Sequence, residues 1–333
     1  PMAAPENSMI RRLLVFLLVL STAATSQAFA QPDEAALTPR QRLAVVDSIG
    51  HALIEGYVFP DVGARIDKEL RTRLARGEFD GATDASSFAQ VLTRDLQALG
   101  HDRHLRVLVG GPPAGGTPRL FDAPTGTFGR TERLPGDIAY IEIRSFGFPP
   151  EVVREEASRI MSAAADAKGL ILDLRANGGG SPRTVALLAS YVFGDKPVLL
   201  NSLYLRPIGR TDDFYTEPAV DGIKFGPDKP VYVLTSSRTF SGAEEFAYDL
   251  QTRKRAMIVG ETTGGGANPG RPVPLPYGLT LFVPTGRAIN PITKTNWEGV
   301  GVKPDLSVNA DDALAAAIRL AQKAVAAEAE GNR

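Results

Sequence analysis

Cysteine is absent from this 333-residue chain, which also has only three histidines and one tryptophan. Without cysteine there can be no disulfide framework, no thiolate nucleophile and no cysteine-ligated metal site. Three histidines are too few for a histidine-rich zinc site, and they leave a catalytic histidine only three candidates: His51, His101 and His104. We therefore expect neither a metal ion nor another cofactor.

A strong charge of either sign is also missing. The formal net charge is -1 and the pI is about 6.4, so nothing in the charge balance favours nucleic acid or an anionic membrane as the main partner. Hydrophobic residues make up 43% of the chain. That is enough for a sizeable core in one large or two modest domains.

The longest apolar run lies near the start of the chain. Arg11 and Arg12 precede "LLVFLLVL", and Ala28-Phe29-Ala30 precedes Gln31, which is the three-part pattern of a secretory signal peptide. The run is shorter than the ~20 residues that span a bilayer. We expect residues 1–30 to be removed, leaving a periplasmic or secreted protein without a stable membrane anchor.

Residues 38–100 show helical periodicity. Thr38-Pro39 is a good cap and first turn, and a third helical segment begins at Thr83 or Asp84 and stops at Gly100. The apolar residues between these points recur at steps of three and four. The sequence therefore predicts an N-terminal helical subdomain over residues 31–104.

Apolar strands alternate with helices from residue 137 onward, which is typical of a mostly parallel sheet covered on both faces. The predicted helices lie near 150–167, 182–192 and 241–252, and an Ala-rich C-terminal helix occupies 311–333. We assign residues 105–310 to an α/β core. The predicted core strands are "IAYIEI", "GLILDL", "PVLLNSLYL", "PVYVLTS" and "AMIVGE".

Ser241 follows one of these strands and opens a helix. With Glu244 it forms the Ser-x-x-Glu pattern of a capping box, a purely structural role. A serine on a sharp strand-to-helix turn is also well placed for nucleophilic attack, because free helix N-terminal N–H groups lie beside it. The residues around Ser241 alone leave both interpretations open.

Four motifs together carry a family resemblance: "DLRANGGG", "TSSRTFSGAEEFA", "VGETTGGGA" and "WEGVGVKPD". In this order, roughly residues 38–308 resemble the C-terminal-processing (tail-specific) serine proteases. The resemblance implies a crotonase-like spiral of βαβ units, with Ser241 as the nucleophile.

The catalytic base departs from the pattern of many members. Gly266 stands where a lysine base would fall, so the chain is more similar to the tricorn-core and interphotoreceptor retinoid-binding-protein-like branch. That similarity implies His104 as the base and Glu298 as its support. Arg103 stands where the tricorn pattern has a serine, which leaves a fourth catalytic residue unassigned.

The resemblance also implies an oxyanion hole made by the backbone N–H groups of Gly242 and Gly179. Glycine allows close backbone approach to a substrate. Too few residues separate Leu108 from Asp137 for the PDZ domain that many relatives insert there. The core and the helical subdomain must then recruit substrate by themselves.

Structural explanations compete for several residues. His101 could replace His104 as the base, and Glu298 could simply be a packed carboxylate beside the one tryptophan. We interpret Asp173 and Arg175 as a structural pair.

The motifs together predict an exported serine endopeptidase that cleaves peptides or unfolded protein through an acyl-enzyme. The alternative is a non-catalytic carrier of a small apolar, retinoid- or lipid-like ligand on the same fold. Retention of all three residue types at motif positions favours the enzyme.

Overall fold

The computed structural model describes residues 36–110 and 126–331, and side chains as far as residue 327. Asp33–Arg333 forms one compact unit. The expected signal peptide lies outside the described residues. Among the helices that the structure describes, none is both long enough and apolar enough to cross a membrane.

Three helices form the predicted N-terminal helical unit. The side chain of Thr38 caps the first helix in a capping box with Gln41, and the Asp84 carboxylate caps the third by accepting the Ser87 N–H at 2.8 Å. These local signals confirm two of the three predicted helix starts. The helices are α1 (Pro39–Gly56), α2 (Pro60–Ala75) and α3 (Ala85–Gly100).

A six-stranded sheet forms the centre of the core. Its order is β12-β8-β7-β4-β3-β2, and all neighbours are parallel except the antiparallel edge pair β2 and β3. The predicted mostly parallel sheet is therefore confirmed. Its strands are β2 (Phe128–Leu134), β3 (Ile138–Ile143), β4 (Gly169–Asp173), β7 (Val231–Thr235), β8 (Met257–Gly260) and β12 (Leu306–Ser307).

Helices cover both faces of this sheet. One face packs on α4 (Pro150–Ala164), α5 (Pro182–Ser190) and α6 (Gly242–Thr252), and the other on α7 (Ala310–Gly331). Burial on both faces explains why β4 and β7 are apolar at nearly every position.

Two small antiparallel sheets lie outside the central one. Their orders are β1-β10-β9 and β11-β5-β6. The expectation that "PVLLNSLYL" joins the parallel sheet is wrong, because this strand pairs antiparallel with both of its neighbours. The strands are β1 (Arg106–Val109), β5 (Leu199–Leu205), β6 (Arg210–Tyr215), β9 (Gly270–Pro274), β10 (Leu279–Pro284) and β11 (Gly286–Ile289).

Candidate active site

Ser241 lies on the turn between β7 and α6. Its backbone has φ 53° and ψ -121°, a region that residues other than glycine rarely adopt. A turn this sharp after a parallel strand projects the side chain beyond the carboxyl end of the sheet, where ligands of open α/β sheets bind. Both roles considered for Ser241 therefore coexist, since it precedes the helix and is also exposed to a cavity.

Glu244 fixes this turn from inside the protein. Its carboxylate accepts the Ser241 N–H at 2.8 Å, and also the N–H groups of Gly265 at 2.6 Å and Gly266 at 2.8 Å. Burial nevertheless raises its pKa to about 7. Glu244 thus ties the serine turn to the glycine-rich loop after β8.

His104 is brought to Ser241 from the other end of the sequence. It is fully buried just before β1, and its Nε2 lies 3.2 Å from Ser241 Oγ. The rings of Phe240 and Phe282 pack against the imidazole at centroid distances of 4.7 and 5.9 Å. The 3.2 Å separation of Nε2 and Oγ allows proton transfer from the hydroxyl to the ring.

Two carboxyl groups flank the far side of the imidazole. One oxygen each of Asp102 and Glu298 and a ring nitrogen of His104 lie within 4.8 Å of one another. Nδ1 is 3.9 Å from Asp102 Oδ1, too far for a hydrogen bond. Among the described residues, Nδ1 of His104 and Oε1 of Glu298 are both buried without a hydrogen-bond partner.

Asp102 and Glu298 differ in how many hydrogen bonds their carboxyl oxygens already accept. Asp102 accepts the His104 N–H at 2.9 Å, the Asn268 amide at 2.9 Å and the Tyr57 hydroxyl at 3.3 Å. Glu298 Oε2 accepts the Ala267 N–H at 2.5 Å. Asp102 therefore holds the backbone before His104, whereas Glu298 keeps an oxygen available.

Burial controls the protonation of this group. It lowers the pKa of His104 to about 3, with a smaller contribution from Arg106, so the ring is neutral, as a base must be. Burial, then the nearby Asp102, raises the pKa of Glu298 to about 8. Burial raises the pKa of Asp102 as well.

The glycine loop after β4 supplies the backbone beside Ser241. Gly179 donates its N–H to Asn177 Oδ1 at 2.8 Å, so this N–H is not available to a substrate, contrary to the sequence-based expectation. Gly180 and Gly242 line the cavity beside Ser241. Within the described part of the chain, their N–H groups make no hydrogen bond.

Arg103 does not reproduce the serine of the tricorn pattern. Its guanidinium donates to the Gly264 carbonyl at 2.5 Å, and its backbone N–H lies close enough to lower the pKa of Glu298. Arg103 thus stabilises the glycine-rich loop.

His101 and the Asp173–Arg175 pair make other contacts. His101 is the exposed left-handed C-cap of α3, so His104 is the histidine that reaches Ser241. Arg175 contacts Asp173 at 2.6 Å, and this carboxylate also accepts the Tyr140 hydroxyl at 2.7 Å. Asp173 and Arg175 thus form a pair, as predicted.

Sequence reasoning missed Asp102, Gly180 and Glu245. Asp102 lies in the quoted "HDRH" stretch, and an aspartate two residues before a histidine commonly accepts that residue's N–H. Gly180 adjoins the expected Gly179. Glu245 lines the cavity beside Ser241 and is discussed below.

Metal binding has one geometric candidate within the described residues, the group of Asp102, His104 and Glu298. Hydrogen-bond donors already occupy oxygens of the two carboxyls: the Asn268 amide, the Tyr57 hydroxyl, and the N–H groups of His104 and Ala267.

Curated relatives of the chain are processing peptidases. It is 29% identical over 174 residues to a chloroplastic C-terminal processing peptidase of Tetradesmus obliquus, covering 52% of this chain and 35% of the relative. It is 25% identical over 185 residues to a carboxy-terminal-processing protease of Bartonella bacilliformis, covering 53% and 40%. The chain thus spans well under half the length of these two relatives.

Solved structures share the fold at low sequence identity. A lipoprotein from Streptococcus agalactiae has a TM-score of 0.58 at 16% identity, covering 86% of this chain and 98% of the other. The tricorn protease has a TM-score of 0.59 at 15% identity, covering 86% and 37%. The photosystem II D1 C-terminal processing protease has a TM-score of 0.52 at 17% identity, covering 83% and 94%.

Two family profiles match the sequence. The N-terminal domain of peptidase S41 in eukaryotic IRBP matches residues 25–124, and peptidase family S41 matches residues 137–308, over half of the chain. With the serine, histidine and glycine geometry described above, these matches lead to one conclusion: the chain belongs to peptidase family S41, a family of serine peptidases.

Proposed function

We propose that this protein is an exported serine endopeptidase that cleaves peptides or unfolded protein through an acyl-enzyme. The observation that carries the proposal is the 3.2 Å separation between Ser241 Oγ and His104 Nε2. A buried, neutral imidazole beside a serine on a strained turn is the arrangement that activates a hydroxyl as a nucleophile.

The proposed reaction begins with proton transfer from Ser241 to Nε2 of His104 as Oγ attacks the substrate carbonyl. The negative charge that develops on the carbonyl oxygen is held by the N–H groups of Gly180 and Gly242. His104 then gives the proton to the leaving amine. A water molecule, activated by the same ring, hydrolyses the acyl-enzyme.

Glu298 is the proposed partner of His104 Nδ1. The buried Nδ1 and the buried Oε1 of Glu298 each lack a partner in the described residues, and closing the gap between them would satisfy both. With Glu298 ionised, the contact would place the proton on Nδ1 and stabilise the imidazolium. Catalytic hydrogen bonds are often long before substrate binds.

We propose a crotonase-like spiral of βαβ units for the core, residues 105–310, with a helical subdomain over 31–104 and a C-terminal helix over 311–333. The parallel order of β8, β7, β4 and β3 supports the core assignment. Export to the periplasm or beyond rests on the sequence pattern of residues 11–31. The carrier alternative gains no support from the relatives, whose names are those of peptidases.

A fluorophosphonate that reacts with activated serines tests the proposal directly. Wild-type protein should be labelled and should hydrolyse unfolded protein, whereas Ser241→Ala should do neither. Loss of a capping side chain costs only about 1 kcal/mol, so the variant should remain folded. A folded wild-type protein that is neither labelled nor active would contradict the serine mechanism.

A further inference from the structure

A small cavity lies directly beside the proposed nucleophile. Its volume is about 50 Å³, and Ser241, Gly242 and Gly180 line its mouth. The oxyanion N–H groups proposed above belong to the same lining. A substrate whose carbonyl oxygen lies between those N–H groups would direct the side chain of the same residue, here called the acyl residue, toward this cavity.

The walls of the cavity are mostly apolar. Leu203, Ala267, Ala288 and Trp297 contribute buried side chains. One ionisable residue also lines it, Glu245. Glu245 lies in the first turn of α6, just after Ser241, and both residues line the cavity.

The Glu245 carboxyl is buried and incompletely bonded. The residue is 4% exposed, and its Oε1 has no hydrogen-bond partner among the described residues. Asn201 lies close enough to lower the pKa of Glu245, although its carboxamide makes no regular hydrogen bond. Buried polar atoms in native proteins almost always have a partner, so an unpaired oxygen in a cavity wall points to a missing one.

The next carboxyl along the helix also has one buried oxygen without a partner, Oδ2 of Asp249, but its other oxygen is hydrogen-bonded. Asp249, a further turn along α6, accepts the Asn290 amide at 3.0 Å and has the Arg253 guanidinium 3.9 Å away. The Arg253 guanidinium thus pairs with Asp249. Among the residues that the structure describes, no cation forms a salt bridge with Glu245, which lines the cavity.

We propose that Glu245 is a specificity-determining residue, and that the cavity takes the side chain of a serine or threonine acyl residue, whose hydroxyl pairs with the Glu245 carboxyl. The inference rests on the proposed peptidase function and extends it to the substrate class.

The size of the cavity selects among possible occupants. It has room for about two water molecules, given about 30 Å³ for each in the liquid. This volume suits a side chain of two or three heavy atoms and excludes the long stem of lysine or arginine. Alanine would fit but would leave Oε1 of Glu245 unpaired.

The chemistry of the hydroxyl also suits this carboxyl. Burial raises the pKa of Glu245 to about 7, so both protonation states are populated near neutral pH. A hydroxyl both donates and accepts, and can therefore pair with either state.

The test is a set of peptides that differ only at the acyl residue, which is serine, threonine, alanine, valine or lysine. We expect wild-type kcat/KM for serine to exceed that for alanine by about 10- to 100-fold, the usual effect of leaving a buried polar group unpaired. Active-enzyme concentration is set by fluorophosphonate titration. The ratio of the serine to the alanine rate, rather than either absolute rate, is the readout.

Two variants assign the preference to Glu245. Glu245→Leu should bring the serine-to-alanine ratio to about one or below, whereas Glu245→Gln should retain a serine preference, because its amide still donates and accepts. If Glu245→Leu fails to fold, a Glu245→Gln enzyme that loses the serine preference would overturn the inference.

Other outcomes overturn the inference while leaving the peptidase proposal intact. These are a labelled, active wild type that prefers lysine, that does not distinguish serine from alanine, or whose preference is unchanged in Glu245→Leu. The last two would indicate that water alone occupies the cavity. Wild-type protein that is neither labelled nor active would instead reject the proposed function and this inference together.

Discussion

A Cβ atom at Gly266 would lie 2.7 Å from Cε1 of His104 and 2.3 Å from Cζ of Phe240. Gly266 stands where many relatives of this chain are expected to carry a lysine base. A side chain at this position would force Phe240 or the imidazole of His104 to move. The proposed role of His104 as the base therefore depends on the glycine at 266.

Gly266→Ala should lower kcat by at least about 10²-fold, because displacing a catalytic group by ~1 Å has an effect of this order. Peptide hydrolysis measures the loss. Gly81→Ala is the matched control, since a Cβ at Gly81 meets no atom within 4 Å. Equal activity of Gly266→Ala and wild type would show that His104 can shift without consequence, contrary to its proposed role.

Ser241→Gly and Ser241→Ala should both be inactive but should differ in stability. The φ of 53° at Ser241 strains any side-chain-bearing residue, and glycine relieves that strain. We expect the glycine variant to be more stable than the alanine variant by about 1 kcal/mol in urea unfolding. A more stable alanine variant would mean that the turn relaxes in solution.

Glu298→Gln should lower kcat by up to about 10⁴-fold with little change in KM, because the substitution disturbs the tautomer of His104. Asp102→Asn should lower kcat by a smaller factor, since Asp102 mainly accepts the backbone N–H of His104. Steady-state kinetics of the two variants compare these roles.

The double variant Glu298→Gln/His104→Ala provides the control for that comparison. It should be scarcely worse than His104→Ala alone, because residues that act as a unit have non-additive effects. Independent, multiplicative losses, or a larger loss in Asp102→Asn than in Glu298→Gln, would transfer the orienting role to Asp102.

Glu245 should make folding stability depend on pH. Burial raises its folded pKa to about 7 from the ordinary value of 4.5, so its contribution is fully present below about pH 4.5 and is lost as pH rises through 7. Relative to Glu245→Gln, wild-type protein should lose on the order of 3 kcal/mol of unfolding free energy between pH 4.5 and 8. Parallel stability curves for the two proteins would contradict the buried, unpaired state of this carboxyl.

Chelators should leave activity unchanged. Asp102, His104 and Glu298 come close enough together to suggest a metal site, but their proposed work is proton transfer. Activity before and after dialysis against EDTA measures this. Loss of activity that zinc restores would overturn the assignment of these three residues.

Local sequence patterns determined most of the helices, the central strands β3, β4, β7 and β8, and the strand-to-helix turn at Ser241, because capping and hydrophobic periodicity act over a few residues. Four motifs in order also pointed to His104. Sheet membership of β5 depends on partners distant in sequence, β6 and β11. That pairing could not be read from its apolar pattern alone.

The finer features of the site depended on tertiary structure for the same reason. Gly179 and Gly180 are equivalent in sequence, and only the folded loop commits the Gly179 N–H to Asn177. Likewise, the sequence does not distinguish Glu245 from other helical glutamates. Only the fold places Glu245 in the cavity lining and leaves its Oε1 without a hydrogen-bond partner among the described residues. Whether a polar atom is paired or available is decided by the geometry of all its neighbours, most of which are remote along the chain.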